Sequence, residues 1–258
     1  MKIATWNVNS LRVRLPQVLG WLKSERPDVL CLQETKLRDE DFPLAEIEAL
    51  DYRAAFSGQK TYNGVAVIAR SPIKDVDTEL PGLDDPERRV LSATIGRVRV
   101  VDIYVPNGQE VGSRKYEYKL NWLEHLLRYA EALRPDHEHV LMCGDFNIAP
   151  EDRDVYDPEA WRGRVLCSEP EREAFRALTA VGLRDVFRKF EQPENAYSWW
   201  DYRAAAFRRN RGLRIDHILC SDGLYEHVRS CTIDKEPRKL ERPSDHAPVI
   251  AEISGPLP

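Results

Sequence analysis

Val140-Leu141-Met142-Cys143-Gly144-Asp145-Phe146-Asn147 is an apolar run that stops on an acid and an amide. A short continuous apolar stretch bounded by polar or turn-forming residues is the mark of a strand buried on both faces. Comparable runs recur at 29–32, 65–68, 98–101, 215–219 and 248–251. Helical patterns lie between them. Leu11, Leu15, Val18, Leu19 and Leu22 share one face, with Pro16 near the first turn. Tyr116, Leu120, Leu123, Leu127 and Ala130 form a second stripe that Pro135 helps to end, and Phe175, Leu178 and Val181 a third, closed by Gly182. These stripes predict core-facing helices and carry no functional reading. No linker, low-complexity or repeated segment divides the chain, so the pattern predicts one α/β domain over residues 1–258, with two stacked sheets flanked by helices.

Composition narrows the function classes. Hydrophobic residues make up 42% and charged residues 31% of the chain, which supplies a core and excludes wholesale disorder. The 38 Lys and Arg against 43 Asp and Glu give a net charge of −5, so this is no polycation. Nucleic acid, if bound, must meet a local basic surface or metal ions that bridge to its phosphates. No stretch approaches the roughly 18 apolar residues of a membrane span. The first residues run straight into a strand-like segment without a signal-peptide apolar region, so a cytoplasmic monomer with no membrane partner is expected. Five widely spaced cysteines without a C-x-x-C predict buried reduced thiols, with neither zinc nor disulfides.

Acids, amides and histidines fall where strands end. The clusters are Thr5-Trp6-Asn7-Val8-Asn9-Ser10, Leu32-Gln33-Glu34-Thr35-Lys36, Ile103-Tyr104-Val105-Pro106-Asn107, Gly144-Asp145-Phe146-Asn147, Arg214-Ile215-Asp216-His217 and Pro243-Ser244-Asp245-His246. Singly each has a plain explanation: Gly144-Asp145 as a turn, Glu34 and Lys36 as a solvated strand end, Asp245 as a cap. Jointly they could converge at one edge of a sandwich, giving three or four carboxylates, amides, a phenol and an imidazole. Clustered carboxylates repel unless a cation neutralises them, and hard oxygen ligands suit Mg²⁺ or Mn²⁺. The chemistry expected is metal-assisted hydrolysis of a phosphate ester.

Seven ordered segments carry a family resemblance: W-N-V-N-S-L-R, L-Q-E-T-K, Y-N-G-V-A, G-D-F-N-I-A-P, W-W-D-Y-R, G-L-R-I-D-H and P-S-D-H-A-P-V. Together they resemble the exonuclease III family of Mg²⁺-dependent DNA repair nucleases, over essentially the whole chain. The resemblance implies a DNase I-like, four-layered α/β sandwich of two packed mixed β-sheets between helices. It implies Mg²⁺, with Mn²⁺ able to substitute, held among Asn7, Asn9, Glu34, Asp145, Asn147, Asp245 and His246, with Glu34 the principal carboxylate. Position 9 is Asn where other members carry Asp, which removes one charge. Asp145 would act on the attacking water or the leaving oxygen, and Asn147 would donate to the phosphate. Tyr104, with Asn107 close by, would hydrogen-bond the scissile phosphate. His246 would touch a phosphate oxygen while Asp216 fixes its tautomer.

The substrate is less sharply marked. Residues 203–214 hold Arg203, Arg208, Arg209, Arg211 and Arg214 and no acid, after four aromatics in six residues. Arginines neutralise phosphates, and aromatic side chains receive an extruded nucleotide; a solvated basic loop beside an aromatic core reads equally well on composition. The resemblance assigns Trp199 and Leu213 to an abasic-sugar pocket. Arg12, Arg14, Lys36 and Lys60 extend the phosphate-contacting surface on weaker grounds. The expected partner is duplex DNA with abasic sites or blocked or recessed 3′ ends. The expected activities are AP endonuclease together with 3′→5′ exonuclease, 3′-phosphodiesterase or 3′-phosphatase. Bulky Leu166, in the loop Gly163-Arg164-Val165-Leu166-Cys167, would narrow the pocket and leave mainly 3′-end processing. A non-catalytic nucleic-acid-binding regulator and a small-molecule or lipid-headgroup phosphatase are the rival readings.

Overall fold

Every apolar run singled out above becomes a strand. The computed structural model describes residues 1–255. The chain begins β1 (Lys2–Asn7), α1 (Leu11–Glu25), β2 (Val29–Gln33), α2 (Leu44–Glu48), β3 (Arg53–Ser57) and β4 (Val65–Ala69). It goes on through β5 (Ile73–Asp77), β6 (Val90–Ile95), β7 (Val98–Tyr104), α3 (Arg114–Asp136) and β8 (His139–Asp145). The last part holds α4 (Pro158–Trp161), α5 (Glu169–Ala180), β9 (Leu183–Asp185), β10 (Asp216–Ser221), α6 (Asp222–His227), β11 (Val228–Ile233) and β12 (Val249–Ile253).

The strands form two six-stranded mixed sheets, in the orders β11-β12-β1-β2-β4-β3 and β5-β6-β7-β8-β10-β9. Each sheet has one parallel pair near its centre, β1 with β2 and β7 with β8. A parallel pair needs a long crossover, and α1 and α3 supply the two. Alternation along the strands then builds four layers. Val29 and Cys31 point into the space between the sheets with Val65, Val67, Leu141 and Cys143. Leu30 and Leu32 point outward with Trp6 onto Leu11, Val18 and Leu22 of α1. On the far side Val101, Ile103, Val140 and Met142 meet Trp122 and Leu126 of α3 and Phe175 and Leu178 of α5. All five cysteines are buried and unbonded.

Two local readings change. The buried face of α3 is centred on Tyr116, Lys119, Trp122, Leu123, Leu126, Tyr129 and Ala130, while Leu120 and Leu127 lie at its half-buried border. The larger Trp122 takes the centre, and Lys119 is buried among polar partners, which no apolar stripe reveals. Gly144 is not in a turn. It lies within β8, paired with Ile103, at φ 148°, where an added Cβ would stand 1.9 Å from the Ile103 oxygen. Only glycine permits strands this close. We expect Gly144→Ala to lower the unfolding free energy by about 2–3 kcal/mol or more. A denaturant midpoint equal to that of the parent would show that the strands part without cost.

Candidate active site

The two parallel pairs put the strand-end clusters at one edge. Asn7 and Gln33 are register partners, so Glu34 emerges beside Asn7. Asp145 is partnered by Tyr104 on one side and by Asp216 on the other. The buried amide of Asn7 joins the sheets, its Nδ2 donating to Glu34 Oε1 at 2.8 Å and to Asp145 Oδ2 at 2.9 Å. The Pro243–His246 loop is drawn over the edge by Ser244 Oγ, which donates to the Asn7 carbonyl at 2.7 Å. His246 Nδ1 then lies 2.9 and 3.1 Å from the two oxygens of Asp216, and its Nε2 3.8 Å from Asp145 Oδ2.

The charges are strongly perturbed. Burial pushes the Asp145 carboxyl up to about 7; the charges of Asp216 and Glu34 add to this, while His246 and the Asn7 amide oppose it. Burial would depress His246, yet Asp216 and Asp145 hold it up to about 10, so its ring is cationic at neutral pH. Burial, with the charges of Glu34 and Asp145, also pushes Tyr104 well above its ordinary value and keeps its O–H a donor. Burial would raise Asp245 too, but His246, the Asn9 amide and the Trp199 indole hold it below the usual carboxylate range.

Asn147 follows β8 in the left-handed region at φ 50°. Its N–H donates to Asp145 Oδ1 at 2.9 Å, its Nδ2 to the Val105 carbonyl at 2.9 Å, and its Oδ1 accepts from Asn107 at 3.1 Å. Asp245 accepts from Asn9 Nδ2 and from Trp199 Nε1, each at 2.9 Å, and so is not a simple cap. Glu34, Asp145 and His246 each offer one potential ligand atom, all within 4.8 Å of one another. The donor set fits a hard divalent cation: two carboxylate oxygens face each other, and Asp145 resists ionisation among like charges. The imidazole, while doubly protonated, has no lone pair for a metal.

The proposed phosphate contacts divide. Lys36 is brought in, its ammonium 2.9 Å from Glu34 Oε2 and 2.6 Å from Asn9 Oδ1. Arg14 braces the edge from below, donating to the Asn9 and Pro243 carbonyls and to the Tyr202 hydroxyl. Arg12 stands in solvent 3.6 Å from Asp41, and Arg203 is exposed on the short turn Arg203–Ala205. Arg214 is not a surface base. It is buried with its Nε 2.7 Å from Asp154 and an Nη 2.9 Å from Asp185, because a guanidinium can leave water only against compensating carboxylates. Burial and this cation push His217 down to about 3, so that histidine is neutral and structural.

Trp199, Leu213 and Leu166 pack in one apolar cluster with Val155, Cys167 and Ile215. Leu213 is 0% exposed and Leu166 4%. Leu166 also holds φ 74°, a conformation costly for a residue with a Cβ. Tyr62, an aromatic in the turn-forming Lys60-Thr61-Tyr62-Asn63-Gly64, is 68% exposed on a loop tied to the Glu34 strand end by Thr35 N–H to the Gly64 oxygen and Lys36 N–H to the Asn63 oxygen.

A two-sheet sandwich with carboxylates, amides, a phenol and a cationic imidazole at one edge defines a phosphoesterase. The chain belongs to the endonuclease/exonuclease/phosphatase family, whose profile matches residues 4–246. It is 36% identical to exodeoxyribonuclease III of Haemophilus influenzae over 98% of this chain and 100% of that one. Its fold matches the 3′ phosphatase NExo from Neisseria bound to product DNA hairpin, with a TM-score of 0.97 and 47% identity over 99% of this chain and 100% of that one. An AP endonuclease from Archaeoglobus fulgidus matches at a TM-score of 0.94 and 39% identity, again over 99% and 100%. The protein is thus an enzyme, a nuclease of the phosphodiesterase type. No helix among the described residues is long and apolar enough to cross a membrane.

In the metal-free protein the contributions of Asp145 and His246 to stability should shrink as pH rises. Asp145 is raised from an ordinary 3.8 to about 7 on folding, so its contribution is fully present below about pH 4 and is lost as pH climbs through 7. His246, raised from 6.5 to about 10, continues the decline above neutrality. His217, lowered from 6.5 to about 3, adds stability as pH rises over nearly the same range, so the Asp145 contribution is read as a difference: the melting temperature of the chelator-treated parent minus that of Asp145→Asn should fall from pH 4 to 7. A difference that stays constant with pH would place the titration elsewhere.

Proposed function

We propose that this enzyme is a Mg²⁺-dependent DNA repair nuclease that hydrolyses phosphate esters chiefly at 3′ ends of duplex DNA, and more weakly at internal abasic sites. The observation that carries the chemistry is the Asn7–Glu34–Asp145–His246–Asp216 constellation, in which a buried carboxyl titrating near 7 lies between a metal-suited acid and a fixed cation. Glu34 and Asp145, with Asn7 and Asn9 nearby and Asp245 as a second position, would hold Mg²⁺ or Mn²⁺. The ion supplies charge neutralisation at the phosphate and a more acidic water.

The protein groups divide the remaining work. Asp145 exchanges a proton with the attacking water or the leaving oxygen, a task matched to a value near neutrality. The His246 Nε2–H and the Tyr104 O–H donate to phosphate oxygens as charge builds on them, and Asp216 keeps the imidazole charged and aimed. Asn147, expected to donate to the phosphate, instead spends its amide on the Val105 carbonyl and Asp145 Oδ2 and so holds that carboxyl in place. Exposed Arg203, Arg208, Arg209 and Arg211 supply local positive charge that an acidic protein needs to approach DNA. Tyr62 and Lys60, exposed on the loop tied to the Glu34 strand end, would meet the duplex.

The preference for 3′ ends is inferred from burial in this cluster. An extruded abasic sugar needs apolar surface to lie against, and Leu166 packs in one cluster with Trp199 and a Leu213 that has no exposed surface. Mg²⁺-dependent cleavage of a duplex bearing a 3′-phosphate should therefore exceed cleavage of one with an internal abasic site. Glu34→Ala and His246→Ala should each lower turnover by about 10²–10³-fold or more while duplex binding persists. No activity on either duplex would remove the nuclease reading, and a variant cutting at full rate would remove that residue from the mechanism. Leu166→Gly relieves the positive φ and opens the cluster, so it should raise internal abasic-site cleavage by about 10-fold or more relative to the 3′-phosphate reaction. An unchanged ratio would show that Leu166 is not the barrier.

A further inference from the structure

One buried cation joins three loops of the site. Lys119 projects from α3 beneath the strand ends, and neither its side chain nor that of Glu171 on α5 has any exposed surface. The ammonium donates to the Asn147 carbonyl at 2.7 Å, the Asn107 carbonyl at 3.2 Å and Glu171 Oε1 at 2.5 Å. Each of its three protons thus has an acceptor. Glu171 in turn accepts from the Leu166 N–H at 3.0 Å and from the Ser168 N–H at 3.0 Å and Oγ at 2.5 Å. The Leu166 carbonyl accepts from Ala149 N–H at 2.7 Å, which closes the circuit back to the Asn147 loop.

Nothing about core packing calls for an ion pair here, since a buried pair is costly to desolvate and apolar side chains fill such a space as well. What the pair does hold is backbone that does not hold itself. Asn147 and Leu166 both sit at positive φ, 50° and 74°, and such conformations persist only where their surroundings fix them. Gly108, next to Asn107, is shaped around the same side chain, for a Cβ there would lie 3.0 Å from Lys119 Cδ and 3.2 Å from Val165 Cγ2. Asn107 and Asn147 are hydrogen-bonded to each other beside Asp145, and Leu166 packs with Trp199 and Leu213, the residues that the proposed function gives to the sugar.

We propose that Lys119 and Glu171 are a positioning pair that sets the linked Asn107 and Asn147 amides, and through them Asp145, against the Leu166 loop, and thereby governs both turnover and the choice between 3′ ends and internal abasic sites. This rests on the nuclease reading above. Neither residue touches substrate. Both act through the backbone of the three loops.

The test measures kcat and KM for the full-length wild type, Lys119→Met and Glu171→Gln in Mg²⁺ on two duplexes, one with a 3′-phosphate and one with an internal tetrahydrofuran abasic analogue. Single-turnover amplitude counts active enzyme, and thermal melts report folding. Per active molecule, Lys119→Met should lower kcat on the 3′-phosphate by about 100-fold while KM stays within about threefold. The ratio of internal to 3′ cleavage should rise by about tenfold in both variants. Glu171→Gln, which leaves Lys119 able to reach both carbonyls, should lose less turnover. Equal losses on the two duplexes, or two variants that fail to fold, would reduce the pair to a structural staple and overturn the proposal. Variants indistinguishable from an active wild type would overturn it alone, whereas a wild type inactive on both duplexes would take the nuclease reading down with it.

Discussion

Asp145 is a carboxylate taken out of water and set among Asp216 and Glu34, and the rest of the site is arranged around that burden. Like charges in a medium of low polarisability cannot all ionise without matched donors or a cation. The Asn7 amide supplies one donor to two of them across the sheet boundary. His246 supplies a fixed positive charge, itself maintained by Asp216. Glu34 and Asp145 still bring two hard carboxylates within reach of one ion, which is why the arrangement suits a divalent ion and an incoming phosphate better than a neutral ligand.

The architecture follows from the same need for proximity. Asn7, Glu34, Asp145, Asp216 and His246 span most of the sequence. They meet because β1 with β2 and β7 with β8 run parallel and end at one edge. The helices needed to return the chain between parallel strands are those whose apolar faces cover the outer sides of the sheets. Sandwich, crossover helices and site edge are therefore parts of one solution, with Gly144 allowing the tight strand pairing immediately before Asp145.

The strands and the site acids were legible because their signals are local. A run such as 140–143 followed by Gly-Asp-Phe-Asn can be read without its partners, and its convergence with Glu34 and His246 follows once strands share an edge. Long-range electrostatics left no such trace. Arg214 reads as one more base in an arginine-rich stretch, yet Asp154, sixty residues earlier, and Asp185 draw it inside. Lys119 reads as the polar side of α3 for the same reason, since its partners Asn107, Asn147 and Glu171 come from three other segments. Leu166 was legible as a bulky residue near the pocket, but its backbone conformation was not.

On the proposed function, that conformation bears on selectivity. A leucine held where glycine would be at ease carries a standing cost of about 1–3 kcal/mol. A change at that codon to glycine would relax the backbone and, on the proposed function, broaden the range of lesions accepted. On the proposed preference for 3′ ends, narrow specialisation would be the less comfortable state of the polypeptide, separated from generality by one side chain.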